Sequence, residues 1–381
     1  MEVPFLNVRS QNVFLKKQSL AAVVKILETG DFILGKDVRL FEQEFAAYCG
    51  ARFAVGLNSG TDALFMSLMS LGIGPGDEVI CPVYTYIATA LSISYAGATP
   101  VFVDIDPRTF TIDIADLERK INKRTKAIIP VHLYGYPADM PRIMRIARRH
   151  NLKVIEDAAQ AHGACIMARG GESRKVGAWG DVGCFSFYPT KNLSGCGDGG
   201  MATTNNKRIY ETLLMWRDQG RRGKNRYVHF VKGYNSRLDT IQAALLREKI
   251  KHLDAWNEVR RGRAHLYSRL LSGIKGVTVP FESSDTGHVF HLYAVLVGNR
   301  DYVHAKLLER GINTGIVYHL PLHLQPAYKE MKHRRGDFPS AEKTAKKILC
   351  LPMHAYLKES EVRYVAANLI EVMKKNADKE E

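Results

Sequence analysis

The stretch that decides the fold is Phe185-Ser-Phe-Tyr-Pro-Thr-Lys-Asn-Leu-Ser-Gly-Cys-Gly-Asp-Gly-Gly200. An apolar run here passes into a glycine-rich loop that carries Lys191. A loop lysine is usually a surface residue. Just past a strand end and beside close-approaching glycine backbone, however, it becomes the rigid, partly desolvated amine that Schiff-base chemistry requires. Lys191 is therefore the first candidate for a catalytic residue.

Short β-branched runs alternate with helical stretches around this segment, from about residue 50 to 205. The candidate strands are Phe53–Gly56, Glu78–Cys81, Thr99–Val103, Ala127–Val131, Lys153–Glu156, Val182–Ser186 and Met201–Thr204. The candidate helices are Asp62–Leu71, Ile87–Tyr95, Met140–His150 and a long Thr240–Gly262. This alternation is typical of an α/β domain with crossover helices. Further on, the pair Val277–Pro280 and Val289–Val297 and two helices predict a smaller α+β domain.

Composition favours a globular protein of two domains. The chain has 381 residues, 46% hydrophobic and 24% charged, and a formal charge of +15 that is spread along its length. An ordinary solvated surface is the favoured interpretation of that charge, and nucleic-acid binding and an anionic small-molecule substrate are the alternatives. The six cysteines include no C-x-x-C pair and the N-terminus lacks a secretory pattern, so we expect a cytoplasmic protein.

The uncharged segment Val79–Val103 is long enough to be mistaken for a membrane span. Pro82, Gly97 and Pro100 interrupt it, and several of its side chains are polar. These breaks favour a strand, a helix and a second strand, and we expect no membrane association.

A second candidate lies at the end of another apolar strand. Asp157 follows Lys153–Glu156, which places its carboxylate at the carboxyl edge of the sheet, where α/β proteins bind ligands. An ionised acid there would keep a bound pyridinium ring protonated; capping the next helix is the simpler role. Gln160 lies one turn further on, and His162 is as readily a structural histidine as a catalytic one.

A third group would hold an anion and a flat ring. Leu57-Asn-Ser-Gly-Thr-Asp-Ala-Leu64 reads as a turn that opens a helix, and the free N–H groups at such a start bind phosphate. Gly60 and Thr61 are the expected contacts, although for this motif taken alone an ordinary helix cap is the favoured explanation. Ser186 would add a hydroxyl, and Tyr86 would stack on the ring.

The order of these elements resembles the sugar aminotransferases of the DegT/DnrJ/EryC1/StrS family. The matching segments are Ser59–Leu64, Gly74–Ile80, Val103–Pro107, Glu156–Gly163, Pro189–Leu193, Gly197–Gly200, Gly233–Arg237 and Pro321–Tyr328. The resemblance implies the aspartate aminotransferase-like fold type I and the cofactor pyridoxal 5′-phosphate (PLP). It also implies a large α/β domain over residues 1–250 with a mostly parallel seven-stranded sheet, and a smaller α+β domain over residues 251–381.

The resemblance also assigns roles to residues. It implies that Lys191 holds PLP covalently, that Asp157 pairs with the ring nitrogen and that Gln160 contacts the ring oxygen. It implies that Gly60, Thr61 and Ser186 contact the phosphate and that Tyr86 covers the ring. It also implies a further phosphate contact from Asn235 of a neighbouring subunit. The substrate-side residues it implies are His319, His323 and Arg237. No metal is expected.

A nucleotide-linked keto-sugar is the substrate that the resemblance implies, with a dTDP-linked 3-keto-6-deoxyhexose preferred because of Pro321–Tyr328, and with glutamate as donor. A branch that replaces the lysine by histidine is a dehydratase, so the intact Lys191 implies transamination. Other transaminations, of a 4-keto sugar or a cyclitol, share this cofactor site and stay open. A DNA-binding regulator is a further alternative, though no helix-turn-helix or zinc-finger pattern supports it.

Overall fold

The computed structural model describes residues 1–167, 172–223, 225 and 227–377. The helices are α1 Val8–Phe14, α2 Lys16–Thr29, α3 Lys36–Cys49, α4 Gly60–Ser70, α5 Ala88–Tyr95, α6 Ile114–Lys120, α7 Met140–Arg149, α8 Lys207–Arg217, α9 Thr240–Ile250, α10 Leu253–Leu271, α11 Arg300–Leu308, α12 Pro339–Lys347 and α13 Glu359–Ala377. The strands are β1 Phe53–Leu57, β2 Glu78–Pro82, β3 Thr99–Val103, β4 Thr125–Ile128, β5 Lys153–Asp157, β6 Cys165–Met167, β7 Ser173–Lys175, β8 Val182–Ser186, β9 Gly200–Thr204, β10 Val277–Thr278, β11 Thr286–Gly287, β12 Tyr293–Val297 and β13 Ile348–Leu351.

A seven-stranded sheet in the order β1-β9-β8-β5-β4-β2-β3 forms the centre of the molecule. The pairings of β8, β5, β4, β2 and β3 are parallel, whereas β9 runs antiparallel to both of its neighbours. These are the seven strands that the sequence predicted, and the mostly parallel α/β sheet is confirmed. Strands such as β2 are buried along their whole length, because helices cover both faces of a parallel sheet.

Local sequence explains how the covering helices begin and end. In α3, Val38, Phe41 and Phe45 are fully buried on one face, and Gly50 ends the helix at a φ of 73°. A left-handed backbone conformation at a helix end costs little free energy when the residue is glycine, because glycine has no Cβ. In α7, Asp139 caps the start by accepting a hydrogen bond from the Arg142 N–H at 3.1 Å.

A second, three-stranded sheet has the order β10-β12-β13. The expected hairpin-like pair exists as the antiparallel pairing of β10 with β12. Its apolar side chains, with those of α10, α11 and α13, form a core that also includes Val3 from the N-terminus. The division into domains at residue 250 remains a prediction.

One predicted helix is wrong in its extent. Thr240–Gly262 is broken at Lys251 and His252 into α9 and α10. The break changes what each half packs against, since α9 lies on α2 and α3 while α10 lies on α13. The spacing of hydrophobic residues predicts a helix, but it does not reveal such a change of direction.

The segment Val79–Val103 forms β2, α5 and β3, as its internal breaks indicated. Within the described ranges, no helix has the length and apolar character needed to cross a membrane.

Candidate active site

A cavity of about 540 Å³ opens at the carboxyl ends of β5 and β8. It is lined by Phe5, Leu6, Ser59, Gly60, Thr61, Leu64, Thr85, Tyr86, Ala88, Val131, Asp157, Ala159, Gln160, Ser186, Tyr188, Thr190, Lys191, Asp198, Gly199, His291, Leu292, Val317 and Tyr318. Seven predicted cofactor residues, namely Gly60, Thr61, Tyr86, Asp157, Gln160, Ser186 and Lys191, are therefore brought together in one place.

The loop after β8 folds back on itself and presents Lys191 to this cavity. The Phe187 N–H donates to the Gly199 carbonyl at 2.8 Å, and the Gly195 N–H donates to the Phe187 carbonyl at 2.7 Å. Burial lowers the pKa of Lys191 to about 8, and the charge of Asp157 opposes that shift. Lys191 is thus a fixed amine whose neutral, nucleophilic form is accessible near neutral pH.

Asp157 ends β5 and is only 6% exposed. Its Oδ2 accepts a hydrogen bond from the Thr89 hydroxyl at 2.8 Å, and its Oδ1 accepts one from the Ala159 N–H at 3.2 Å. Burial raises the pKa of Asp157, while these hydrogen bonds and Lys191 lower it. In the described part of the chain no cation lies within ion-pair distance of the carboxylate, so a protonated ring nitrogen in the cavity would supply the missing partner.

The start of α4 forms a cradle suited to an anion. The Ser59 hydroxyl accepts from the Asp62 N–H at 3.1 Å, and the N–H groups of Gly60 and Thr61 precede the first intrahelical bonds. A side chain at Gly60 would put its Cβ 2.7 Å from Cβ of Ser186. Glycine therefore lets the helix start lie against the Ser186 strand, where backbone N–H groups and a hydroxyl converge.

Aromatic side chains and an amide form another wall. Tyr86 is 57% exposed, and its ring lies 6.3 Å from that of Tyr318. Gln160 accepts from the Tyr134 N–H and donates to the Tyr318 hydroxyl, both at 2.7 Å. The amide of Gln160 thus has protein partners at both ends, and its contact with a ring oxygen stays a prediction.

The remaining predicted residues do not line this cavity. Asn235 is exposed and bridges to Asp218 on the backbone, and Arg237 pairs with the Asp218 carboxylate at 3.1 Å. His319 is exposed, whereas His323 is buried and lies 3.1 Å from Glu342 through Nε2.

His162 lies apart from the cavity, fully buried among Phe45, Phe185 and Phe187. Burial lowers the pKa of His162 to about 3, so the ring is neutral. These surroundings favour the structural interpretation of this histidine.

Sequence reasoning missed several residues of the site. Thr89 had a usable signal, because it lies three residues after Tyr86 at the start of the next helix. Phe5, His291 and Tyr318 had none, since they come from distant parts of the chain and carry no local motif. His291 is buried behind Lys191, with Nδ1 lying 3.2 Å from Oδ1 of Asn192.

The donor set fits PLP. A cradle of N–H groups suits its phosphate, a buried acid suits its ring nitrogen, and a desolvated amine suits its aldehyde. The cavity is also large enough for a cofactor together with part of a substrate.

Comparison with known proteins agrees with this chemistry. Residues 14–370 match the model of the DegT/DnrJ/EryC1/StrS aminotransferase family. The "Pleiotropic regulatory protein" of Geobacillus stearothermophilus is 46% identical over 97% of this chain and 98% of its own. The dTDP-3-amino-3,4,6-trideoxy-alpha-D-glucose transaminase of Streptomyces venezuelae is 45% identical, over 93% of this chain and 92% of its own. The crystal structure of S. venezuelae DesV in complex with a ketimine intermediate superposes with a TM-score of 0.94 at 44% identity, covering 97% of this chain and 98% of that one.

Proposed function

Because this chain belongs to the DegT/DnrJ/EryC1/StrS family of PLP-dependent sugar aminotransferases, we propose that it aminates the 3-keto group of a dTDP-linked 6-deoxyhexose, with glutamate as the amino donor. The observation that carries the proposed chemistry is that a desolvated lysine, Lys191, and a buried acid, Asp157, line one cavity beside an anion cradle. The name of the Streptomyces transaminase supports the choice of nucleotide and of carbon 3.

In this proposal Lys191 would hold the cofactor through its aldehyde, and its amine would move a proton at the substrate carbon. A pKa of about 8 suits that work, because a proton carrier is most effective when its pKa lies near the working pH. Bound PLP supplies an electron sink for the breaking bond. Asp157 would hold the proton on the ring nitrogen, and the hydrogen bond that Thr89 donates to Asp157 favours its ionised form.

The other roles follow from position in the cavity. Gly60, Thr61 and Ser186 hold the phosphate, and Tyr86 covers the ring. Gln160 orients the neighbouring wall residue Tyr318 through its hydrogen bond to the Tyr318 hydroxyl. We assign the substrate side to His319, His323 and Arg237. Of these, His319 adjoins the cavity residue Tyr318 in sequence and is exposed, and so is available to a sugar nucleotide.

We also propose a homodimer with a shared active site, in the cytoplasm. Leu20, Val24 and Leu27 are each at least half exposed and share one face of α2 by their spacing, which suits a subunit interface. Asn235 is exposed and outside its own chain's cavity, so its predicted phosphate contact would be made in the partner's site. All six cysteines are free thiols, which suits a reducing compartment.

An absorbance spectrum of the purified protein with PLP tests the enzyme. We expect a visible band that is lost in Lys191→Ala, kept in the exposed-lysine control Lys306→Ala, and bleached by glutamate in the wild type. A panel of dTDP-, UDP- and GDP-linked 3-keto and 4-keto sugars, with a keto-cyclitol, then tests the substrate. Conversion of only 4-keto sugars or the cyclitol would replace the proposed substrate while leaving the chemistry intact.

A DNA-binding regulator is the alternative that the charge of +15 and the name of the Geobacillus relative favour. The buried lysine and acid favour the enzyme, because groups that serve DNA binding through charge lie on the surface. A gel shift at physiological salt, combined with no lysine-dependent PLP band, would decide for the regulator.

A further inference from the structure

A second, much smaller cavity of about 20 Å³ lies under α1. It is lined by Leu6, Asn7, Val8, Gln11, Pro189, Thr190, Lys191, Asn192, Arg260, His354, Ala355 and Tyr356. Lys191 lines both this cavity and the large one. A space of this size holds one water molecule or one small ion.

Arg260 is the charged group of this cavity, and only 6% of it is exposed. Its Nη1 donates to the carbonyls of Phe290 at 3.2 Å, His291 at 3.4 Å and Met353 at 3.2 Å. Burial lowers the pKa of Arg260 to about 10, so it is still a cation at neutral pH. Among the described residues no carboxylate pairs with it, and its Nε is buried without a partner.

His354 presents further unpartnered groups to the same cavity. It is 4% exposed, and both of its ring nitrogens are buried without a hydrogen bond, whereas the Tyr356 hydroxyl beside it has a hydrogen bond with the side chain of Trp256. A buried polar atom without a partner costs roughly 1–3 kcal/mol. That cost, repeated over the Nε of Arg260 and the two ring nitrogens of His354, indicates that something polar occupies the space.

We propose that this cavity binds one monovalent anion of the size of chloride. Protonated Arg260 has only neutral carbonyl partners, and an anion neutralises its buried charge, which water does not. The arginine Nε–H, the tyrosine O–H and one imidazole N–H are all donors, as an anion requires. No acidic side chain lines the cavity to repel it.

The lid over the cavity gives the anion a route in. None of the α1 residues is buried, and Gln11 of α1 accepts a hydrogen bond from the Ser194 hydroxyl at 3.2 Å. The helix is also held by a hydrogen bond from Lys249 Nζ to Asn12 Oδ1 at 2.9 Å, and because it has only seven residues and none of them is buried, it is the part of the cavity wall that opens locally at least cost. Since Lys191 lines the same cavity, the anion also bears on the charge of that amine.

Thermal unfolding of the PLP-bound full chain tests the site, with sodium chloride replacing sodium gluconate at constant ionic strength. Gluconate is too large for the cavity. We expect Tm to rise by a few degrees and to level off as chloride saturates the native state. Arg260→Met should abolish the rise. The control Arg263→Met, one turn further along α10 and paired with Glu359, should retain it.

Bromide provides a second measurement, in case Arg260→Met does not fold. Crystals of the wild-type protein grown with sodium bromide should give an anomalous peak between Arg260 and His354. A Tm that does not depend on chloride, a dependence that persists in Arg260→Met, or density without an anomalous signal would each overturn the proposal. The last of these would identify the occupant as water.

Discussion

The hydroxyl of Thr89 donates a 2.8 Å hydrogen bond to Oδ2 of Asp157, across 68 residues of sequence. Burial raises the pKa of Asp157, and this hydrogen bond is the foremost of the interactions that lower it. Thr89 therefore favours the charged form of the acid at the end of β5, which is the form that a protonated ring nitrogen needs.

Thr89→Val keeps the shape of the side chain and removes the donor. Without the hydrogen bond the pKa of Asp157 rises, so a larger fraction is protonated on the acid side. We expect PLP affinity to fall by about tenfold, since a hydrogen bond to a charged group contributes roughly 1.5–3 kcal/mol. The acid limb of the activity profile should move to higher pH. Fluorescence titration with PLP and a pH series measure the two effects.

The control for this change is Thr212→Val, whose hydroxyl donates to the Arg208 carbonyl on the exposed face of α8. This substitution should change neither the affinity for PLP nor the pH profile of activity. If Thr89→Val bound PLP as the wild type does, with the same pH profile, Asp157 would not depend on Thr89.

Because of Lys191, the free energy of unfolding of the apoprotein should depend on pH in the alkaline range. Its pKa is lowered from 10.5 to about 8 in the folded chain. Below pH 8 both folded and unfolded chains carry the charge, and the folded chain bears the cost of burying it. Between pH 8 and 10.5 the unfolded chain binds more protons, so this group makes the folded state more stable as pH rises.

Urea unfolding of the apoprotein and of Lys191→Met measures this effect as a difference. The variant should be more stable by up to about 3 kcal/mol at pH 7, and its advantage should shrink above pH 8. An advantage that is constant from pH 7 to 10.5 would show that the amine is not desolvated.

Gly60→Ala tests the close approach of α4 to β8. The added Cβ would lie 2.7 Å from Cβ of Ser186 and 3.3 Å from the Phe185 carbonyl, so the helix start must move. We expect PLP to bind at least about tenfold more weakly, with a stability loss of roughly 1–3 kcal/mol. Gly262→Ala is the matched control, because nothing lies within 4 Å of its Cβ and it occupies a helix. It should gain about 0.5–1 kcal/mol and bind PLP normally.

The large sheet was predictable because its strands are apolar runs buried on both faces, which leaves a direct mark in the sequence. Asp157 and Lys191 were predictable as neighbours for a related reason. Asp157 ends β5 and Lys191 follows β8; these two strands pair in parallel, and parallel strands end at the same edge.

The rest of the site depends on tertiary contacts that no local pattern encodes. Val3 pairs with Ile312, and Phe5 packs so closely on Gly315 that a Cβ there would meet its ring at 2.6 Å. These contacts carry the N-terminus to the cavity wall. Tyr318 reaches the cavity with a φ of 61°. A tyrosine rarely adopts this backbone conformation, so the sequence does not predict it.

Tyr318→Phe removes the acceptor of the Gln160 amide hydrogen bond while keeping the ring. The amide is then held only through its oxygen, by the Tyr134 N–H, and its NH2 group is left partly unsatisfied, at a cost of roughly 1 kcal/mol. We expect an approximately tenfold loss of kcat/KM with little change in folding. Tyr364→Phe, whose hydroxyl donates to the Arg310 carbonyl at 3.0 Å away from the site, is the control and should have normal activity. Equal kinetics of the two variants would exclude a role for the Gln160 contact.

A shared active site makes a prediction about mixed subunits. If Asn235 acts in the partner's cavity, a heterodimer of Lys191→Ala and Asn235→Ala has one intact site and one that lacks both residues. Refolding the two inactive variants together in equal amounts should then restore about a quarter of the wild-type activity, since half of the dimers are mixed and each has one working site. Lys191→Ala mixed with Asp157→Ala is the control, because these residues share one chain's cavity and no exchange repairs it. Recovery in the first mixture alone requires that the site be built from two chains; recovery in neither would place Asn235 outside the site or confine the site to one chain.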